Sequence, residues 1–111
     1  MIACTTLLPG RVARLEAEDG QLYGVEVSTA RGGFTGRGYV TGFDRDDDRL
    51  GLTFQAASGL CDLRIRYCSP RGDKGYSVAV NGTTVSGVFA QTGESFVVQS
   101  AGKFVLRDGQ N

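Results

Sequence analysis

The sequence has no histidine and no tryptophan, only two prolines and three cysteines, and its twelve basic residues are cancelled by twelve acidic ones. Without histidine the commonest general base and the commonest transition-metal ligand are gone. That argues against a Ser-His or Cys-His nucleophile and against a typical zinc site. Zero net charge with no basic block removes the long-range field expected of a nucleic-acid binder. No apolar run approaches the length of a membrane span, and residues 1–10 lack the basic start and longer apolar stretch of a signal peptide, so the chain reads as an excised or mature domain. Three cysteines are too few for a disulfide scaffold. Cys61 and Cys68 bracket one predicted strand, which puts their α-carbons about 20 Å apart at ~3.3 Å per residue, beyond disulfide reach. If a bond forms, Cys4 is the better partner for one of them; three inert thiols are the alternative.

What the chain does have is glycine and alternation. Its 111 residues include 17 glycines, with 41% hydrophobic and 22% charged residues, enough for one domain with its own core and many turns. Leu63, Ile65 and Tyr67 alternate with Asp62, Arg64 and Arg66, the pattern of a strand with one core face and one solvated face. Tyr76, Val78 and Val80 repeat it, and Asn81-Gly82 then gives a hairpin signal, because both residues accept the positive φ of a type I′ turn. Further strands are expected over residues 14–18, 22–27, 39–43, 50–54, 85–89, 96–99 and 104–107. No helical periodicity competes, and the expected class is all-β, an antiparallel β-sandwich.

Three constellations invite a functional reading. Asp44, Asp46 and Asp48 have the opening spacing of an EF-hand loop, but Arg49 stands where glycine is required and Gln55 where glutamate is required, so the segment is a solvated turn laced by Arg45 and Arg49. Arg71-Gly72-Asp73 matches an adhesion tripeptide but lies in ordinary turn chemistry. Glu16 and Glu18, two apart on a predicted strand, project together and repel. Water, a basic partner or a hard cation must relieve them. Facing the same way, they do not flank a sugar ring as glycoside hydrolysis requires. The glycine-rich stretch from Gly32 to Phe43 can offer close-approaching backbone carbonyls to a calcium ion.

Leu15-Glu16-Ala17-Glu18, the run Gly33 to Asp44, Leu63-Arg64-Ile65-Arg66-Tyr67 and Val80-Asn81-Gly82 together resemble carbohydrate-binding modules of family 35, and are similar to the sister family 6. The resemblance covers residues 12–111, leaving 1–11 as an N-terminal extension. It implies a jelly-roll sandwich with a structural calcium, held by Glu16, Glu18 and carbonyls near Thr35 and Gly38. It implies a polysaccharide ligand, no catalysis, an attached glycoside hydrolase, no nucleic-acid or membrane partner, and an extracellular setting. Family 6 modules place an aromatic platform at the position of Tyr39 and a second at that of Phe96; Ser28, Thr29 and Arg31 are the loop's polar candidates. The segments look most like modules of fungal mannanases, which favours β-mannan, with uronic-acid or xylan binding, or a purely structural or protein-interaction role, as alternatives. Family members usually continue through two further strands after the position of Asn111, so the domain is expected to be truncated.

Overall fold

The structure, a computed structural model, describes residues 2–6 and 12–111. In chain order it has β1 (Ile2–Thr6), β2 (Val12–Leu15), a 3-10 turn (Ala17–Asp19), β3 (Gln21–Tyr23), β4 (Glu26–Ser28), β5 (Tyr39–Thr41), β6 (Arg49–Gly51), β7 (Gln55–Ala56), β8 (Gly59–Tyr67), β9 (Lys74–Val80), β10 (Thr83–Phe89), β11 (Val97–Leu106) and β12 (Gly109–Gln110). There is no α-helix among the described residues. An antiparallel sheet of order β11-β8-β1-β2 forms one layer, and the ribbons β9-β10, β7-β12, β3-β6 and β4-β5 make up the rest. Residues read from the sequence as an N-terminal extension supply β1, which lies between β2 and β8.

Alternation explains the core. Cys61 and Leu63 from β8, with Ala101, Phe104 and Leu106 from β11, are buried, and Tyr76, Val78, Val80 and Val85 of the β9-β10 ribbon pack over them. Apolar area removed from water between these two layers is the main favourable contribution to folding. The ribbon turns at Asn81 (φ 51°) and Gly82 (φ 87°), the positive-φ pair that the Asn-Gly dipeptide predicts.

Five expectations need correction, the first being the strand over residues 50–54, which ends at Gly51. The strand over residues 14–18 stops at Leu15; Asp19 and Gly20 amides then bond back to the Glu16 and Ala17 carbonyls at 3.0 and 3.1 Å and wind the chain into the 3-10 turn. The strand over 22–27 is broken at Gly24, whose φ of 76° leaves the extended region. Gly42, at φ 95°, ends β5 two residues early. The two strands expected over 96–99 and 104–107 are one: the register of β11 against β8 shifts between Ser100 and Gly102. This bulge resets the alternation, so that Ala101 and Phe104 both face inward.

Cys61 is disulfide-bonded and Cys68 is a free thiol; the expectation for Cys4 concerns a side chain outside the described residues. On the outer face of β8, the Asp62 carboxylate accepts the Ser100 hydroxyl at 2.6 Å and the Arg64 Nε at 3.1 Å. The Ser100 bond, and then the Arg64 partner, hold its pKa below the usual 3.8. A depressed carboxylate stabilises the fold above its unfolded pKa and loses that contribution as pH falls through the folded value. Acid titration of urea stability should therefore fall less steeply below pH 3.8 in Asp62→Asn than in the wild type; parallel curves would contradict this.

Candidate functional site

The loop of residues 29–38, between β4 and β5, ties two groups of side chains together. At its far end lie the carboxylates. The 3-10 turn, rather than strand alternation, brings Glu16 and Glu18 together, and β5 lies against that turn. Glu18 is only 6% exposed, and its Oε2 is buried without a hydrogen-bond partner among the described residues. Burial raises its pKa above the ordinary value, and the Glu16 charge acts in the same direction. The Thr35 hydroxyl donates to Glu16 Oε2 at 2.9 Å. A Cβ on Gly36 (φ 68°) would sit 3.1 Å from both Glu16 Cδ and Glu18 Oε2, so the loop backbone closes directly over the pair. Arg37, a basic residue of the same loop, donates to the Glu18 carbonyl at 3.1 Å and pairs with Asp19.

Gly38 is buried where the loop joins β5. A Cβ there would meet the Ser28 carbonyl and Val27 Cγ1, each at 2.8 Å, so its small size serves the approach to β4. Gly36, which the sequence reading did not single out, is the glycine that packs on the carboxylates. The donors at this centre are hard oxygens, two carboxylates and a hydroxyl, and among the described residues the buried Glu18 Oε2 has no hydrogen-bond partner. That donor set suits calcium in kind. Among the described residues no group of three or more acidic, histidine or cysteine side chains gathers, so any remaining oxygens would come from backbone or water.

At the near end of the loop lies an aromatic cleft. The Tyr39 ring meets Phe34 at 5.9 Å and Phe96, edge to face, at 5.5 Å between centroids. Its hydroxyl accepts the Arg31 amide at 3.1 Å and the Ser28 hydroxyl at 3.3 Å, while Ser28 Oγ accepts the Ala30 amide at 3.1 Å. Tyr39 is thus half-buried and anchored as well as open on one side. An open cavity of about 440 Å³ is lined by Ala30, Arg31, Gly32, Tyr39 and Glu94. Arg31 pairs with Glu94 across it. Thr29 is exposed at the start of the loop. Phe96 lies beneath Tyr39, with the Arg66 guanidinium 5.8 Å above its ring and one Arg66 nitrogen donating to the Gly33 carbonyl at 2.9 Å. Tyr39, Phe96, Ser28 and Arg31 therefore come together. Phe34 of the same loop, Glu94 of the 92–96 loop and Arg66 of β8 join them, and the sequence reading did not single out these three as site residues.

The Asp44–Arg49 segment is a turn closed by Asp48, whose Oδ2 accepts the amides of Asp44 and Arg45 at 2.8 and 2.9 Å. The Arg49 guanidinium lies 4.4 Å over the Tyr23 ring. Asp73 accepts the Gln91 amide at 2.9 Å, so the Arg-Gly-Asp aspartate serves a turn.

A cavity lined by an aromatic ring and polar groups, beside a loop braced by carboxylates, suits a sugar, and the family model of carbohydrate-binding module family 35 matches residues 13–111. The chain belongs to that family. As a family 35 module it binds carbohydrate and is non-catalytic. It is 42% identical over 97 residues to a mannan endo-1,4-beta-mannosidase of Thermothelomyces thermophilus, covering 86% of this chain and 20% of that protein. It is 36% identical to mannan endo-1,4-beta-mannosidase A of a Piromyces species, covering 86% and 16%. A Podospora anserina GH26-CBM35 beta-(1,4)-mannanase matches it with a TM-score of 0.77 at 43% identity, over 86% of this chain and 22% of that one. The module thus has the β-sandwich expected from its sequence, and it spans about a fifth of the length of these relatives.

Proposed function

We propose that this module binds β-mannan in the cleft between the 29–33 and 92–96 loops, and so holds an attached glycoside hydrolase on plant-cell-wall hemicellulose outside the cell. Tyr39 and Phe96 supply the aromatic surface for the apolar face of a sugar, and Ser28, Thr29, Arg31 and Glu94 the polar rim. The observation that carries the reading is the cavity beside Tyr39, in a chain whose named relatives are mannanases. Affinity electrophoresis against galactomannan, glucomannan, xylan and polygalacturonate tests it. Retardation by the mannans ahead of xylan and polygalacturonate is expected; migration unchanged in every gel would leave a structural or protein-interaction module as the better account.

Calcium belongs to the same proposal. Glu16, Glu18 and Thr35 would hold it, and the ion would supply positive charge beside the buried Glu18 carboxylate. Because Thr35 and Gly36 close over this centre, filling it would brace the loop that carries the cleft. A ligand that binds only the folded state raises its stability by mass action. Calcium should therefore raise the melting midpoint of the wild type relative to chelator. Glu18→Gln removes the buried charge, so it should melt no lower than the wild type in chelator and gain nothing from calcium. Equal calcium responses in the two proteins would contradict the assignment.

A further inference from the structure

We propose that Glu94 sets the charge preference of the cleft, favouring neutral glycan over uronate chains. The inference rests on the reading of this cleft as the glycan site and concerns which glycan it accepts. Arg31 and Glu94 are the two ionic side chains that line the cavity with Tyr39. They come from loops far apart in sequence, and they meet as an ion pair. Arg31 is fixed from below, its amide donating to the Tyr39 hydroxyl at 3.1 Å, and its side chain is 30% exposed against 83% for Glu94. The neighbouring cation, Arg66, donates to the Gly33 carbonyl and lies over Phe96, so it faces the loop.

The chemistry follows from this pairing. A guanidinium has five N–H donors, so one carboxylate leaves several of them for a ligand. A pyranose diol fits the pair: one hydroxyl donates to Glu94 and its neighbour accepts from Arg31. The pair itself is neutral. A uronate would need Arg31 for its own carboxylate and would meet Glu94 as a like charge. At contact distance, even in water, that repulsion lowers affinity by roughly fivefold. Replacing Glu94 with glutamine keeps the shape and one acceptor oxygen, removes the repulsion, and frees Arg31 for a charge-assisted bond to the uronate.

The test is calorimetric titration of wild type, Glu94→Gln and the Glu94→Gln/Arg31→Gln double variant with a mannan oligosaccharide and with an oligogalacturonate of equal length. The wild type should prefer the mannan. Glu94→Gln should bind the oligogalacturonate about fivefold or more tightly than the wild type at low salt, the gain shrinking as ionic strength rises. Its mannan affinity should fall by about two- to threefold through the lost charged acceptor. The double variant should lose the gain. An unchanged ratio of the two affinities in Glu94→Gln, a gain that survives without Arg31, or a wild type that binds both ligands equally would overturn the role of Glu94 while leaving glycan binding intact. A wild type that binds neither would overturn the glycan reading and this inference with it. Far-UV circular dichroism and melting of each variant confirm that the comparison is between folded proteins.

Discussion

Replacing Phe104 with alanine is expected to destabilise the module by about 3–5 kcal/mol, the cost of deleting a large buried ring. Phe104 is 2% exposed and is among the largest fully buried side chains. It sits where β11, re-registered by the bulge at Ala101, meets β8 and the β9-β10 ribbon. Among the described residues its core neighbours are held in place: Cys61 is bonded, Leu63 and Leu106 are buried, and a Cβ on Gly102 would already lie 3.3 Å from Val85. The cavity would therefore stay largely open. Domains of this size have about 5–15 kcal/mol in total, so the variant should be marginal, whereas Phe104→Leu, which keeps most of the volume, should lose less than half as much. Urea unfolding followed by circular dichroism, suited to a chain without tryptophan, measures both. A loss below ~1 kcal/mol for the alanine variant would mean that the two layers do not meet at Phe104.

Tyr39→Ala is expected to act on stability and binding together. The resemblance gives Tyr39 as an aromatic platform, and in the structure the side chain is also half-buried and anchored. Its ring joins Phe34 to Phe96, and its hydroxyl holds the Arg31 amide and Ser28. Half-buried, it should cost about 2 kcal/mol of stability on truncation, near half of a fully buried aromatic. Mannan affinity should fall by more than tenfold, because stacking is lost and the Arg31 loop is released. Tyr39→Phe separates the two. It keeps the stacking surface and should lose about 1 kcal/mol through the missing hydroxyl bonds, with most binding retained. Full affinity in a folded Tyr39→Ala would remove the residue from the site.

How much was legible in the sequence follows from how local each signal is. The β8, β9 and β10 strands show as alternation, and the Asn81-Gly82 turn shows as a dipeptide whose φ values only certain residues adopt. The carboxylate pair was legible as a composition of residues but not as a geometry. Alternation implied a strand through Glu18, whereas the 3-10 turn that Glu16 opens delivers both side chains to Thr35 and Gly36. The bulge at Ala101 was invisible because a break in alternation looks the same whether a strand ends or slips by one residue. The Arg31–Glu94 pair spans 63 residues of sequence, and only the closing of two loops over Tyr39 brings it about.

The most direct test of the central claim is a titration of the isotopically labelled module with a mannan oligosaccharide, following backbone amide resonances. The account predicts saturable shifts concentrated in residues 28–39 and 92–96, with Arg31, Tyr39 and Glu94 among the most affected. Shifts confined to the outer face of β8 and β11, around the exposed Leu60 and Val105, or no shifts at saturating oligosaccharide, would contradict it.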